Sequence, residues 1–288
     1  MNPSHKSLFD RVRSLTIGAV FSDSYFFDRV VLKGGNAIAL AYDISSRTSL
    51  DIDLSIESDF PDAKDAAQRL ERACSRRFMT AGYTIFDFKF LPRPTIAVVG
   101  NERWGGYQAE FKVVSTDDYL RQKDDLDSLR RGSLVVGPGE MRKIRIDLSK
   151  FEYVAGKIQK EFDHGTIYVY SPTMLAVEKL RAICQQMPEY PMRRNAAPRA
   201  RDFFDITTLV QRGGVLLAST FASNLAVAIF EAKSVSLKLA NLIEGTREFH
   251  RPDWDSVRLS SDQDLPDFDY FFDYVCRQID LLKTSWNI

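Results

Sequence analysis

The chain has 288 residues, of which 44% are hydrophobic and 27% are charged, a composition typical of a globular protein with a substantial core. Lysine plus arginine and aspartate plus glutamate each number 39, so there is no global positive field, and any contact with nucleic acid must come from a local basic patch. Three scattered cysteines indicate a reducing compartment, three histidines without zinc-ligand spacing argue against a zinc site, and no apolar run approaches the ~20 residues that span a bilayer. We therefore expect a cytoplasmic protein that does not cross a membrane.

The first predicted elements are a helix, a strand, a glycine pair and a second helix. Apolar spacing predicts a helix over residues 5–28 and a short strand over 29–32. The sequence Lys33-Gly34-Gly35 comes next, and Asn36 has the side chain of a helix N-cap, which predicts a helix from Asn36 to Tyr42. Glycine allows close backbone approach, and the amides of a helix N-terminus attract anions, so this turn is a candidate phosphate site.

The segment of residues 49–56 alternates strictly between polar and apolar side chains. This period of two predicts a strand with one face in the core, on which Asp51 and Asp53 point the same way, roughly 6–7 Å apart. Adjacent carboxylates repel each other unless a cation lies between them, and Mg²⁺ prefers such oxygen ligands together with nucleotide phosphates. The alternative is a surface strand with two solvated aspartates, and the spacing alone does not separate these interpretations.

Alternating helical and strand patterns follow the segment of residues 49–56. The mixed charge run at residues 115–132 is typical of a solvated helix or an insertion. The other predicted elements are a helix over 61–81 and strands over 83–90, 95–99, 106–114 and 143–149.

The predicted strand over 143–149 has the same alternating pattern as the segment of residues 49–56. Its apolar residues, Ile144, Ile146 and Leu148, alternate with polar ones, so Asp147 points outward. If the strands that carry Asp53 and Asp147 are neighbours, three carboxylates converge on one face. Metal ions bridging such a triad would activate an attacking hydroxyl and stabilise a leaving pyrophosphate.

The second half of the chain is predicted to be helical. Ser171 is an N-cap and Pro172 occupies the first helical position. Nearly all of the chain beyond them has a helical pattern. We therefore predict an α/β domain over residues 1–170 and an α-helical domain over residues 171–288.

Charged residues in the helical half form a second candidate group. Glu178 and Lys179 lie on its first helix, and an arginine-rich loop leads to Asp202 and Asp205, one turn apart at the start of the next helix. Lys179 either forms an ion pair with Asp202 that ties the two helices together, or neutralises nucleotide phosphates while Asp202 orients it. The loop is either solvated surface or a contact for an RNA backbone, and its arginines are Arg193, Arg194, Arg199 and Arg201.

The motifs and their order along the chain resemble those of the AbiEii/AbiGii group of nucleotidyltransferase-like toxins. That group belongs to the DNA polymerase β-type superfamily and includes the mycobacterial MenT toxins. The resemblance covers roughly residues 25–215, and no motif carries over for residues 115–132 or for the chain beyond 215. The matching motifs are Lys33-Gly-Gly, Arg47-x-Ser49-x-Asp51-x-Asp53, the strand acid Asp147, Glu178-Lys179 and Arg201-Asp202-x-x-Asp205.

The resemblance implies a mixed α/β sheet of the nucleotidyltransferase fold followed by an α-helical domain. It also implies a toxin of a toxin–antitoxin or phage-defence system, which moves NMP from an NTP to an acceptor, in some members the 3′ end of tRNA. A cognate antitoxin is implied as a partner. Such antitoxins are typically winged-helix proteins, and a kinase-like antitoxin is the other type we consider.

The residues then take the following roles. We expect Mg²⁺, or Mn²⁺ in its place, at Asp51 and Asp53, while Asp147 binds a second metal ion or deprotonates the acceptor hydroxyl. Lys179 adds positive charge and is held by Asp202. The residues expected to cradle the triphosphate are Lys33, Gly34, Gly35, Arg47 and Ser49.

Two other functions stay open at this point. In one, the same site transfers a nucleotidyl or phosphoryl group to a protein hydroxyl. In the other, the chain is an inactive module that binds a nucleotide or a partner protein. A phosphate on Ser49 would silence the enzyme, because its charge would clash with Asp51 and Asp53.

Overall fold

A computed structural model gives the fold, and it describes residues 3–45, 49, 51–95, 104–137, 139–163, 165–192, 195–261 and 263–286. The strands are β1 (Val30–Lys33), β2 (Ile52–Ile56), β3 (Tyr83–Arg93), β4 (Gly106–Ser115), β5 (Ile144–Ser149), β6 (Lys157–Phe162) and β7 (Gly165–Tyr170). The α-helices are α1 (Pro3–Ser22), α2 (Ser24–Phe27), α3 (Gly34–Asn36), α4 (Ala63–Thr80), α5 (Thr116–Gln122), α6 (Leu126–Gly132), α7 (Pro172–Cys184), α8 (Ala200–Arg212), α9 (Thr220–Glu231), α10 (Arg247–His250), α11 (Trp254–Leu259) and α12 (Phe268–Ser285).

The strands form one seven-stranded mixed sheet in the order β3-β4-β5-β2-β1-β7-β6. Strands β2 and β5 run parallel, whereas β3–β4 and β4–β5 are antiparallel pairs. Strand β5 therefore joins an antiparallel section of the sheet to the strand that carries Asp53. This mixed sheet, followed in the chain by helices, confirms the predicted fold class.

The chain divides into two compact units. The first unit comprises Met1–Leu32, Leu50–Lys150 and Gln159–Tyr168, and the second comprises Lys33–Ser49, Phe151–Ile158 and Val169–Ile288. Each unit thus draws on more than one stretch of the chain. The division at residue 170 into two domains stays a prediction.

In the first unit, helix α4 packs against one face of the sheet. Its buried side chains recur at helical spacing, and Phe78 meets Phe111 of β4 edge-on with ring centroids 5.6 Å apart. In β5 every second residue is buried, namely Ile144, Ile146 and Leu148. The alternation confirms that Asp147 lies on the opposite face of the sheet, away from α4.

In the second unit, helices α8 and α12 form an aromatic core. Phe203 of α8 stacks on Phe272 of α12 with a centroid separation of 5.0 Å. Phe268 of α12 meets the Phe203 ring edge-on. Phe271 is buried as well, whereas Tyr270 is 45% exposed. The aromatic residues near the C-terminal end of the chain therefore serve mainly to pack this core.

The predicted start of the helix after the glycine pair is wrong. Asn36 is not an N-cap but the last residue of α3, with helical angles of φ −68° and ψ −33°. Lys33 takes the N-cap position, and Gly34 has a φ of +70°, which glycine adopts without steric cost. The chain therefore turns two residues earlier than predicted and continues as a π-helical stretch over Ala37–Ala41.

Other predictions agree with the structure in part. The predicted helix over 5–28 is interrupted at Asp23, which caps α2 by accepting a hydrogen bond from the Tyr25 amide. Ser171 caps α7 as predicted, accepting from the Met174 amide at 3.3 Å. The strand expected over 95–99 falls almost entirely outside the described residues. Within the described ranges, no helix combines the length and the apolar character needed to cross a bilayer.

Candidate active site

Two aspartates lie side by side on neighbouring strands of the first unit. Asp53 of β2 is in register with Asp147 of β5, and the strands run parallel. Paired residues of adjacent strands lie about 4.8 Å apart and point to the same face of the sheet. Both side chains are half-buried. The two strands are therefore neighbours, which is the condition set by the sequence analysis, and two carboxylates separated by 94 residues in the sequence share one face.

The third predicted acid lies just before β2. Asp51 is half-buried and belongs to a bend that leads into the strand, two residues before Asp53. Ser49 is half-buried and belongs to the second unit. Arg47 lies outside the described residues. The roles of these three residues in binding metal and triphosphate stay predictions.

The carboxylate of Asp147 is held by a neutral side chain. Gln108, its partner on β4, donates from Nε2 to Asp147 Oδ1 at 2.8 Å. The amide oxygen of Gln108 in turn accepts from Arg93 Nη2 at 2.6 Å. Because its oxygen is occupied by arginine, the Gln108 amide must present its NH₂ group to Asp147. Nothing in the sequence singles out Gln108, since only the strand register reveals its position.

The second unit holds the glycine turn and a buried cluster of charges. Gly34 and Gly35 are buried, and Lys33 is 6% exposed. The Lys33 ammonium lies 3.1 Å from Glu152 Oε1 and 3.6 Å from Glu178 Oε1. The lysine predicted to cradle a triphosphate is therefore paired with two carboxylates.

Glu152 is the centre of this cluster. Besides Lys33, its carboxylate lies 3.5 Å from Lys233 Nζ and 3.7 Å from Arg181 Nη2. Burial alone would raise the pKa of Glu152, but the three neighbouring cations outweigh it and lower the pKa to about 2. Burial lowers the pKa of Lys233 to about 8, although Glu152 opposes that shift. Nothing in the local sequence singled out Glu152 or Lys233, because the chain brings them together over long distances.

Lys179 and its two carboxylates form a second buried group of the same unit. Its Nζ lies 3.0 Å from Asp202 Oδ1 and 2.7 Å from Asp205 Oδ2, and all three side chains are at most 6% exposed. Arg199 adds a contact of 3.0 Å to Asp202 Oδ2. Burial would raise the pKa of Asp202, but Lys179, Arg199 and Arg201 shift it well below its usual range. The ion pair of Lys179 with Asp202, one of the two alternatives for these residues, is present and includes Asp205, while the phosphate role of Lys179 stays a prediction.

His250 supports the start of α8. Its Nδ1 accepts a hydrogen bond from the Arg199 amide at 3.0 Å, which fixes the proton on Nε2 in the neutral ring. The ring is fully buried, and burial lowers the pKa of His250 to about 4. Of the arginines predicted for this loop, Arg199 is engaged with Asp202, while Arg193 and Arg194 lie outside the described residues.

The described residues include no group of three or more histidine, cysteine, aspartate or glutamate side chains arranged to hold a metal ion. Magnesium, however, is usually bound through one or two carboxylates, with substrate phosphates and water as further ligands. The pair of Asp53 and Asp147 supplies this donor set. The residues therefore fit a magnesium ion that arrives with a nucleotide, and they do not fit a closed cage made by the protein alone.

Comparison with known proteins places the chain in a family. A family profile described as "Nucleotidyl transferase AbiEii toxin, Type IV TA system" matches residues 17–274. No curated protein matches the chain. The matched range includes every motif from the glycine turn to Asp205.

Two solved structures resemble this chain to different degrees. MenT4, a nucleotidyltransferase toxin from Mycobacterium tuberculosis H37Rv, is 15% identical with a TM-score of 0.50, and the match covers 97% of this chain and 84% of that chain. An antigenic nucleotidyltransferase-like protein from Paracoccidioides brasiliensis is 15% identical with a TM-score of 0.36, covering 86% of this chain and 93% of that chain. At this identity, the likeness to MenT4 shows the fold alone, which is the predicted nucleotidyltransferase fold.

The family match spans most of the chain, and its description names both the reaction and the kind of system. It gives nucleotidyl transfer as the general reaction and implies an antitoxin as a partner. On this match, the chain belongs to the AbiEii family of nucleotidyltransferase toxins.

Proposed function

We propose that this toxin transfers NMP from an NTP to the 3′-hydroxyl of an RNA, most simply the 3′ end of tRNA, in a magnesium-dependent reaction. The observation that carries the proposal is the in-register pair of Asp53 and Asp147 on one half-buried face of the sheet. Two adjacent carboxylates on one face supply the oxygen ligands that magnesium takes together with nucleotide phosphates, and this donor set supports the proposed reaction.

The reaction forms one bond and breaks one. The acceptor hydroxyl oxygen attacks the α-phosphorus of the NTP, and the bond between that phosphorus and the oxygen of the β-phosphate breaks, so that pyrophosphate leaves. Asp147, held by Gln108, either accepts the hydroxyl proton, directly or through water, or helps to hold a second metal ion, in which case water accepts the proton. When bound at Asp51, Asp53 and Asp147, Mg²⁺ or Mn²⁺ would neutralise charge on the phosphates and on the attacking oxygen.

The remaining proposed roles concern the triphosphate. Gly34 and Gly35 offer backbone amides at the start of a helical turn, where phosphates bind readily. Lys33, Arg47, Ser49 and Lys179 add hydrogen bonds and positive charge to the triphosphate, and Asp202 orients Lys179.

The proposal also covers partners and location. We place the toxin in the cytoplasm, where NTPs and tRNA occur, and in a toxin–antitoxin system that acts in phage defence. Its antitoxin is proposed to be a winged-helix protein or, alternatively, a kinase-like protein that modifies Ser49.

The test is a transfer assay with each of the four α-³²P-labelled NTPs, Mg²⁺, and separate RNA and protein acceptor fractions. We expect label on RNA from one preferred NTP, and none with the variant Asp51→Ala/Asp53→Ala. Label on protein alone would favour the protein-modifying alternative, and no label on either fraction would favour the inactive binding module. In both cases the proposal is wrong.

A further inference from the structure

The face of the sheet that carries Asp53 and Asp147 also carries a row of cations. The β4–β5 register pairs Gln108 with Asp147 and Glu110 with Arg145, so Arg145 lies on the same face as Asp147. The β3–β4 register adds Lys89, opposite Glu110, and Arg93. Lys112 follows by alternation along β4, and Lys143, just before β5, is placed there by its ion pair with Glu110. We call Lys89, Arg93, Lys112, Lys143 and Arg145 the basic face.

The acidic residues of this region neutralise only part of that charge. Glu110 lies 2.9 Å from Lys143 Nζ and 3.7 Å from Lys89 Nζ, and its hydrogen bond with Lys143 lowers the pKa of Glu110 despite burial. Asp87 accepts two hydrogen bonds from Arg130 of α6, at 2.8 and 3.0 Å.

The rest of the basic face carries an excess of positive charge. Among the described residues, the structure gives neither Lys112 nor Arg145 an ion-pair partner.

The basic face is open, whereas the other face of these strands is closed. Lys89, Arg93 and Lys143 are exposed. A depression of about 230 Å³ is lined by four cations, two carboxylates and one ring, namely Lys89, Lys112, Lys143, Arg130, Asp87, Glu110 and Phe111. The opposite face is apolar and is covered by α4, through contacts such as that of Phe78 with Phe111. A ligand can therefore reach these strands only from the side of the aspartate pair.

The spacing of these cations along the sheet suits a ligand with several successive negative charges rather than a ligand with one. At ~3.3 Å per residue, Arg145 lies roughly 7 Å and Lys143 roughly 13 Å from Asp147 along β5. Lys112 and Lys89 extend the row to the next two strands. A nucleotide held at Asp53 and Asp147 would leave the far cations unused, whereas successive phosphates of a nucleic acid backbone would contact them in turn.

We propose that the basic face binds the phosphate backbone of a single-stranded RNA acceptor and leads its 3′ end to the pair of Asp53 and Asp147. This inference rests on the proposed function, because it names the surface that the RNA acceptor uses. Arg145 and Lys143 contact the phosphates nearest the reacting hydroxyl, and Lys112 and Lys89 contact those farther along. The binding is independent of sequence, since phosphate contacts carry no base information.

The test compares two triple variants that remove equal charge from opposite faces. Lys112→Gln/Lys143→Gln/Arg145→Gln neutralises the basic face, and Lys64→Gln/Arg72→Gln/Arg76→Gln neutralises three exposed residues of α4. Binding of a fluorescent single-stranded oligoribonucleotide, without NTP, is measured by anisotropy over a range of KCl concentrations. Circular dichroism and thermal unfolding establish that both variants are folded.

We expect the RNA affinity of the basic-face variant to be lower than that of the wild type by about tenfold or more at moderate salt. The affinity of the α4 variant should stay close to that of the wild type. The slope of log K against log[KCl] should become shallower by about 2 in the basic-face variant, since each phosphate contact to a single strand contributes about 0.7. Binding does not require transfer, so this result is separable from that of the transfer assay.

Three outcomes would overturn the inference. Equal loss of binding in the two variants would mean that only net charge matters, and unchanged binding in both would place the RNA elsewhere while leaving the proposed reaction intact. Equally tight binding of a polyglutamate peptide of the same charge would assign the face to an acidic protein instead of an RNA.

Discussion

The two units use acidic side chains in opposite ways. In the first unit, Asp53 and Asp147 lie side by side on a half-buried sheet face, and Asp147 receives its hydrogen bond from a neutral amide. In the second unit, Glu152, Asp202 and Asp205 are buried, and each contacts at least one cation within 3.1 Å. One arrangement leaves like charges adjacent, whereas the other pairs opposite charges.

The difference indicates what each arrangement is for. Buried carboxylates paired with lysine and arginine hold their elements in one geometry, and breaking such a pair is costly. The adjacent carboxylates on the half-buried sheet face instead offer oxygen ligands to a metal–nucleotide complex that arrives from outside. We therefore expect substitutions in the second unit to act first on stability, and those at the aspartate pair to act first on catalysis.

The largest effect on stability is expected for Lys179→Met. The variant leaves Asp202 and Asp205 buried without their shared cation, which should lower the free energy of unfolding by about 3–5 kcal/mol. Urea unfolding measures the loss. Lys283→Met, which breaks an exposed ion pair with Asp280, is the matched control and should unfold like the wild type. A loss below about 1 kcal/mol for Lys179→Met would contradict the structural role of the pair and leave Lys179 only its phosphate role.

A smaller and purely kinetic effect is expected for Gln108→Ala. Loss of the hydrogen bond to Asp147 should lower kcat for transfer by about 10–100-fold, as is usual for groups that orient a metal or catalytic ligand. The KM for NTP and the free energy of unfolding should change little, because the amide is only half-buried. Gln159→Ala, which removes a similar bond to the Tyr168 hydroxyl on β7, is the control. Equal kcat values in the two variants would show that Gln108 does not position Asp147.

The smallest effect is a dependence of stability on pH that comes from His250. Its pKa is about 4 in the folded protein and about 6.5 in an unfolded chain. Between these values the unfolded chain binds a proton that the folded protein does not, so stability falls as the pH drops from 6.5 to 4, by at most about 1.4 kcal/mol per pH unit.

The check on His250 is urea unfolding between pH 7 and pH 4.5 for the wild type and for His250→Asn. Asparagine keeps an acceptor for the Arg199 amide but does not titrate in this range. The difference in unfolding free energy between the two proteins should change over this range. A constant difference would mean that His250 is not buried in its neutral form.

Much of the aspartate pair could be predicted from sequence because alternation is a local property. The segments around Asp53 and Asp147 each show period-two patterning, which fixes the face on which the acid lies, and the family motifs suggest that the strands belong to one site. Helix caps such as Ser171 are equally local, and that prediction is correct.

The remaining features depend on contacts between distant parts of the chain. Gln108 meets Asp147 across 39 residues, and Lys33 meets Glu152 across 119. No local pattern encodes such pairings. The error at Asn36 has a local cause: the left-handed conformation of Gly34 starts the helical turn before the residue with the better capping side chain.

The central claim is that the pair of Asp53 and Asp147 performs nucleotidyl transfer. The most direct test is the initial rate of transfer from labelled NTP to RNA by Asp53→Asn, measured beside its free energy of unfolding. We predict a rate about a thousandfold or more below wild type in a folded protein, because asparagine removes the charge that would bind a metal–nucleotide complex but keeps the shape of the side chain. A rate within about tenfold of wild type in the folded variant would contradict the claim.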